Sequence, residues 1–201
     1  IVIICTQSGS HLEPALEAAK AGKHILCEKP LEVTMERAQQ MINACAKAKV
    51  KLGCVFQNRF SDDYQKLKTV VQSGKLGNLL MGNASINWYR SPEYYADSPW
   101  RGTLKGDGGA ALINQGIHTI DLLLDIMGDA RSVFGKTNTL VHNIEGEDTA
   151  AALVTFKSGA LGTITAGTSL YPGSPARLEI YGERGSIVLE GGIIKDWKIN
   201  G

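Results

Sequence analysis

The chain has 201 residues, enough for one large domain or parts of two with a substantial buried core. Hydrophobic residues make up 43% and charged residues 20%, and 21 Lys and Arg nearly cancel 20 Asp and Glu. No basic run points to a nucleic-acid or anionic-membrane partner, and no apolar stretch approaches the roughly 20 residues of a membrane helix.

The chain opens on Ile1-Val-Ile-Ile-Cys5, a continuous apolar run that reads as a parallel strand covered on both faces. An opening in mid-core predicts an internal piece of a longer protein. Ser10-x-x-Glu13 has the pattern of a capping box, Pro14 falls in the first helical turn, and Gly22 closes the helix. His24–Cys27 reads as a short strand, Thr34 to Ala48 as a second helix and Lys51–Phe56 as a third strand. This alternation predicts βαβ units on a parallel sheet, assigned to a first domain of residues 1–58.

From residue 59 the pattern changes. Asp62 to Ser73 reads as a helix stopped by Gly74, Leu79–Arg90 as a long strand, and Ser91–Asp107 as a loop. An apolar helix from Gly109 to Met127 ends at Gly128. Strands then follow one another: Ser132–Val141, Asp148–Phe156, Ala160–Leu170, Ala176–Tyr181 and Ser186–Glu190. Lys157-Ser-Gly159 and Glu183-Arg-Gly185 have the length and glycine of hairpin turns. The second domain, residues 59–201, is therefore expected to be α+β on a mainly antiparallel open sheet.

Four segments carry candidate chemistry. Glu28-Lys29-Pro30 follows a strand directly, where open parallel sheets bind ligands. Burial lowers a lysine's pKa and fits it for proton exchange, and the proline permits a cis bond that would aim it; a solvated turn with a surface ion pair is the competing reading. On the Gly109–Met127 helix, Asn114, His118, Asp121 and Asp125 form one polar stripe on an otherwise apolar surface. Such a stripe is either the exposed face or a wet cleft, and Gly106-Asp-Gly-Gly109 ahead of it favours close approach of a ligand. Thr6-Gln-Ser-Gly-Ser-His11 also lies at a strand's carboxyl end; its hydroxyls and amide suit a ribose, an amide or a phosphate, or simply an ordinary βα turn. The loop from Tyr89-Arg90 to Trp100-Arg101 carries aromatics and arginines that suit a sugar and an anion, or a packed loop.

Cys5, Cys27, Cys45 and Cys54 have no Cys-x-x-Cys spacing; Cys5, Cys27 and Cys54 sit in apolar runs and read as buried free thiols, with a metal or disulfide pair the competing reading, and free thiols suit a reducing compartment such as the cytoplasm. No G-x-G-x-x-G occurs, so the usual pyrophosphate cradle is absent from these residues, and there is no P-loop, G-x-S-x-G or H-E-x-x-H.

Two motifs in order resemble the Gfo/Idh/MocA family of glucose–fructose oxidoreductase and inositol dehydrogenase relatives. Ile3-Ile-Cys-Thr6 through Glu28-Lys29-Pro30-Leu31 resembles its last Rossmann units and its Glu-Lys-Pro signature. Gly108-Gly109 through Asn114-Gln-Gly-Ile-His118-x-x-Asp121 resembles its glycine-rich loop and helix. The resemblance implies a Rossmann domain lacking its first βαβ unit, a second domain whose sheet serves homo-oligomerisation, and NAD or NADP as cofactor. It implies an NAD(P)-dependent dehydrogenase acting on a hydroxyl of a sugar, sugar nucleotide or cyclitol. In that reading Lys29 contacts both nicotinamide and substrate, and His118 is the acid/base. Asn114, Asp121, Arg90, Trp100 and Arg101 would bind substrate, while Thr6, Ser8, His11, Glu28, Lys29 and Gln57 would contact the cofactor. Asn114 stands where relatives often carry aspartate, which removes a charge from the relay. With Trp100-Arg101-Gly102, it looks most like the branch that oxidises nucleotide-linked amino-sugar uronates. An NAD-retaining glycoside hydrolase and a non-catalytic NAD-sensing regulator are the alternatives on the same fold.

Overall fold

Strands β1 (Val2–Ile4), β2 (Ile25–Cys27) and β3 (Leu52–Cys54) pair in parallel in that order, in a computed structural model that describes residues 1–200. The helices between them are α1 (Leu12–Lys20) and α2 (Met35–Ala48). Ala15, Ala18 and Ala19 of α1 pack with Met41 and Cys45 of α2 and with Ile4, Ile25 and Cys27. Small side chains let the helices approach the sheet closely. The Thr34 hydroxyl caps α2 by accepting from the Arg37 N–H at 3.3 Å.

The expected capping box at Ser10 does not form. Residues Ser8–Ser10 make a 3₁₀ turn and α1 starts at Leu12 without a local side-chain cap. Its first amide instead donates to the buried Glu32 carboxylate at 3.1 Å, which Arg37 holds at 2.9 Å. A charged acceptor from across the fold has replaced the local hydroxyl, and Glu13 turns outward to Arg37.

A short 3₁₀ turn, Gln57–Phe60, leads to α3 (Asp62–Gln72), then β4 (Leu79–Asn87) and the short α4 (Pro92–Ala96) inside the expected loop. The expected apolar helix begins differently. Ala111–Gly116 is a π-helical turn, with Gln115 N–H donating to the Ala110 carbonyl at 3.2 Å, and only then does α5 (Ile117–Met127) run regularly. The sheet is completed by β5 (Ala130–Asn138), β6 (Thr149–Phe156), β7 (Leu161–Gly167), β8 (Arg177–Gly182), β9 (Gly185–Glu190) and β10 (Ile193–Ile199).

These seven strands run β10-β9-β8-β4-β7-β6-β5, antiparallel except for the β4–β7 pair. The sheet is thus mainly antiparallel, as expected, but not a simple meander. β4 inserts between β7 and β8, and the chain crosses it after β7. The β5 strand stops three residues short of Val141, because Leu140, Val141 and His142 turn their amides onto the buried Asp148 carboxylate. α5 lies on one sheet face so closely that a Cβ on Gly82 would sit 2.8 Å from Leu123 and Met127. Leu123, Phe156, Ile86 and Ile180 fill that core. The opposite face carries Met81 beside Leu161, and Phe134 beside Leu153, all exposed. No described helix is long and apolar enough to cross a membrane.

Candidate active site

The carboxyl ends of β1, β2 and β3 emerge on one edge, and the expected cofactor residues follow them. Thr6 is exposed and donates to the Ser10 carbonyl at 3.0 Å, and Gln57 is exposed at the start of its 3₁₀ turn. Glu28 accepts from the Lys29 amide at 3.2 Å, and the Lys29–Pro30 bond is cis. His11 corrects an expectation. It is fully buried, with Nδ1 3.0 Å from the Pro30 carbonyl oxygen and Nε2 3.1 Å from that of Thr6. His11 bridges the two βα turns from a fully buried position, where a neutral imidazole can donate to only one of these carbonyls. Ser8 is buried in the same turn and is likewise inaccessible.

The first two candidate segments meet. The Lys29 ammonium donates to the Asn114 carbonyl at 2.8 Å and to the Asn114 side-chain oxygen at 3.1 Å. An ammonium has three N–H donors, so one remains for a ligand. The Asn114 amide nitrogen in turn donates to Asp107, whose other oxygen accepts from Gly102 N–H at 2.9 Å. Burial lowers the Lys29 pKa, while the charges of Asp107 and Glu28 act against that. The π turn swings Asn114 toward Lys29 by adding one residue to a turn just ahead of His118.

His118 is partly buried, and its Nδ1 is enclosed without a hydrogen-bond partner. Its ring stands edge-on to Phe56, with centroids 6.0 Å apart. Burial, then the Lys29 charge, lowers its pKa below the usual 6.5, so the imidazole is neutral at pH 7. His118 also lines a cavity of about 390 Å³ walled by Trp88, Leu122, Leu178 and Leu189. Asp121 corrects a second expectation. Both its oxygens accept from Arg59, each at 2.7 Å, leaving the carboxylate engaged rather than open to substrate. Arg59 also reaches Asp125 at 3.0 Å. The polar stripe on the helix therefore divides between an end that faces Lys29 and an ion-pair network.

The aromatic loop divides as well. Arg90 reaches the Gln115 oxygen at 2.7 Å and stacks near Trp88 and Tyr94, beside the Lys29–Asn114 contact in sequence. Trp100 instead lines a cavity of about 420 Å³ with Gln7, Gly9 and Ser10. There Gly9 donates to the Gly106 carbonyl at 2.9 Å, and a Cβ on Gly9 would collide with the Lys105 carbonyl. Arg101 stacks 4.5 Å from the Tyr94 ring centre and borders a cavity of about 750 Å³. That cavity is lined by neither Lys29 nor His118. Asp107, Arg59 and Gln115 were not singled out from sequence. Asp107 stood inside a glycine loop read for its backbone, and Arg59 lies 62 positions from its partner Asp121. Among the described residues no cluster of His, Cys, Asp and Glu could hold a metal, and the four cysteines are free, Cys5 being exposed rather than buried because it lies just past the end of β1.

The chain matches two family models: residues 1–56 an oxidoreductase family with an NAD-binding Rossmann fold, and residues 64–188 a GFO/IDH/MocA C-terminal domain. It is 33% identical over 191 residues to myo-inositol 2-dehydrogenase of Thermotoga maritima, a match spanning 92% of this chain and 55% of that protein. Two solved structures superpose with a TM-score of 0.95, both WlbA dehydrogenases in complex with NADH and UDP-GlcNAcA. The one from Bordetella pertussis is 35% identical over 99% of this chain and 58% of its own. The one from Chromobacterium violaceum is 38% identical over 100% and 59%. A levoglucosan dehydrogenase in complex with NADH and L-sorbose follows at 27% identity, with a TM-score of 0.88 over 94% of this chain and 53% of its own. The chain spans little more than half the length of these relatives.

Proposed function

From a chain that belongs to the Gfo/Idh/MocA oxidoreductase family, we propose a protein that oxidises a sugar hydroxyl with NAD(P), using Lys29 and His118. The observation that carries this is the convergence of a partly desolvated ammonium and a neutral imidazole next to the π turn. The nicotinamide end of a dinucleotide suits the polar edge formed by Thr6, Gln7 and Gln57 after the parallel strands. When bound, the cofactor accepts the hydride. Lys29 keeps one N–H to hold the substrate oxygen and stabilise its developing negative charge. The neutral His118 takes the hydroxyl proton, a contribution of about 10²–10⁴ in rate for a positioned base.

The substrate we assign is a nucleotide-linked amino-sugar uronate. Support comes from 35–38% identity to the two WlbA dehydrogenases against 27% to the levoglucosan enzyme. The Arg90–Gln115 and Arg101–Tyr94 pairs supply cations and flat rings suited to such an anion. The exposed Met81, Leu161, Leu153 and Phe134 face supports homo-oligomerisation through the sheet, and four free thiols suit the cytoplasm. The test is NADH formation by the full-length protein with UDP-GlcNAcA, myo-inositol and levoglucosan. Turnover with UDP-GlcNAcA well above the others is expected; equal turnover on myo-inositol removes the uronate assignment.

A further inference from the structure

Asp107 is a fully buried carboxylate on the glycine loop, and the proton-transfer scheme above gives it no task. Its surroundings are specific. One oxygen accepts from the Gly102 amide at 2.9 Å, the other accepts from the Asn114 side-chain nitrogen, and the Asn114 oxygen then accepts from Lys29 at 3.1 Å. The row thus reads amide donor, carboxylate, carboxamide, ammonium.

While Lys29 is protonated, both ends of this row are donors only. Between them, four arrangements of acid and amide are conceivable at positions 107 and 114. Acid then amide, as found, satisfies every contact. Amide then acid satisfies every contact too. Two amides must place one N–H against another or leave Lys29 facing an NH₂ group. Two acids place carboxylates against each other, which can be tolerated only by retaining a proton. The order found puts the negative charge one side chain away from the ammonium. Coulomb attraction falls with that distance, so Lys29 is held and balanced without a direct ion pair.

We propose that Asp107 is the positioning residue for Lys29: it fixes which way the Asn114 amide faces and supplies, through that amide, the charge that keeps the lysine protonated and in place. Only the turnover arm of the test rests on the dehydrogenase reading. The other titratable groups facing Lys29 are Glu28 and Cys54, whose thiol burial keeps neutral, with His118 nearby on α5.

The experiment follows the rate of acylation of Lys29 against pH in the full-length protein, read by peptide mass spectrometry, together with kcat. D107N removes the charge and breaks the row, so the labelling midpoint moves to lower pH. Turnover falls about tenfold to a hundredfold, as for loss of a hydrogen bond to a charged group. D107N/N114D restores every donor–acceptor contact and sets the charge directly on the ammonium. Its midpoint moves above that of the wild type, and it recovers folding and substrate binding lost in either single variant. A D107N midpoint equal to the wild type overturns the proposal, as does a double variant whose midpoint stays at or below it. If D107N does not fold, the double variant alone decides. If K29A keeps turnover while D107N still shifts the midpoint, the dehydrogenase reading falls and the positioning role stands. The opposite pair of results separates them the other way.

Discussion

Replacing Arg59 with methionine keeps the aliphatic stem and removes a guanidinium that makes three hydrogen bonds, two to Asp121 at 2.7 Å and one to Asp125 at 3.0 Å. The two carboxylates then fare differently. Asp125 keeps Lys68 at 2.7 Å and the Tyr64 hydroxyl, whereas Asp121 has no other side-chain partner. The Asp121 side chain is 12% exposed, so its charge would be left largely desolvated. Breaking a buried pair from one side costs roughly 3–5 kcal/mol, while an exposed pair is worth about 0.2–1 kcal/mol. Arg59 itself is 38% exposed, which places the cost between these limits, at about 2 kcal/mol. Urea unfolding of Arg59→Met, followed by circular dichroism, reads that loss directly. Arg59→Met/Asp121→Leu should recover most of it, because no orphaned charge remains. A loss below about 0.5 kcal/mol for the single variant would refute the view that this network pins α5 to the Gln57–Phe60 turn.

Two further predictions concern protonation. NMR titration of His118 should give a midpoint below 6.5, and Lys29→Gln should raise it, since burial and then the Lys29 charge hold the imidazole neutral. Asp148 is fully buried and accepts from three backbone amides, so Asp148→Ala should cost at least about 3 kcal/mol in urea unfolding. Burial opposes ionisation of Asp148, but those amides hold its pKa below the ordinary value. A depressed carboxylate stabilises the fold above its unfolded pKa of about 3.9, and that share is lost as pH falls through the lower folded value. The acid end of the wild-type stability profile should therefore flatten in Asp148→Ala.

What could be read from the sequence follows from where information is local. Thr34 and the αL residue Lys49 bracket α2 by short-range capping, so the expected span was close to the one observed. Lys29 and His118 stood out because strand ends and helix stripes are periodic features. The failures are long-range. No local rule assigns Leu12 its cap from Glu32, or Asp121 its partner in Arg59. The π turn at Ala111–Gly116 was invisible because its residues suit an ordinary helix; what selects it is tertiary, including Glu147 accepting from the Ala110 and Leu112 amides. His11 misled for a related reason: a polar residue at a strand end is placed for a ligand, yet it served the backbone of its neighbouring turn.

In the proposed reaction His118 exchanges the proton while Lys29 holds the oxygen. This division of roles is tested most directly by the steady-state kinetics of His118→Ala and Lys29→Ala in the full-length protein, with NAD(H) affinity measured separately by calorimetry. His118→Ala should lower kcat by about 10²–10⁴-fold with cofactor affinity nearly unchanged, and Lys29→Ala should damage both turnover and substrate binding. Near-wild-type turnover in His118→Ala would rule out the proton-transfer role and leave the histidine as a structural residue on the helix.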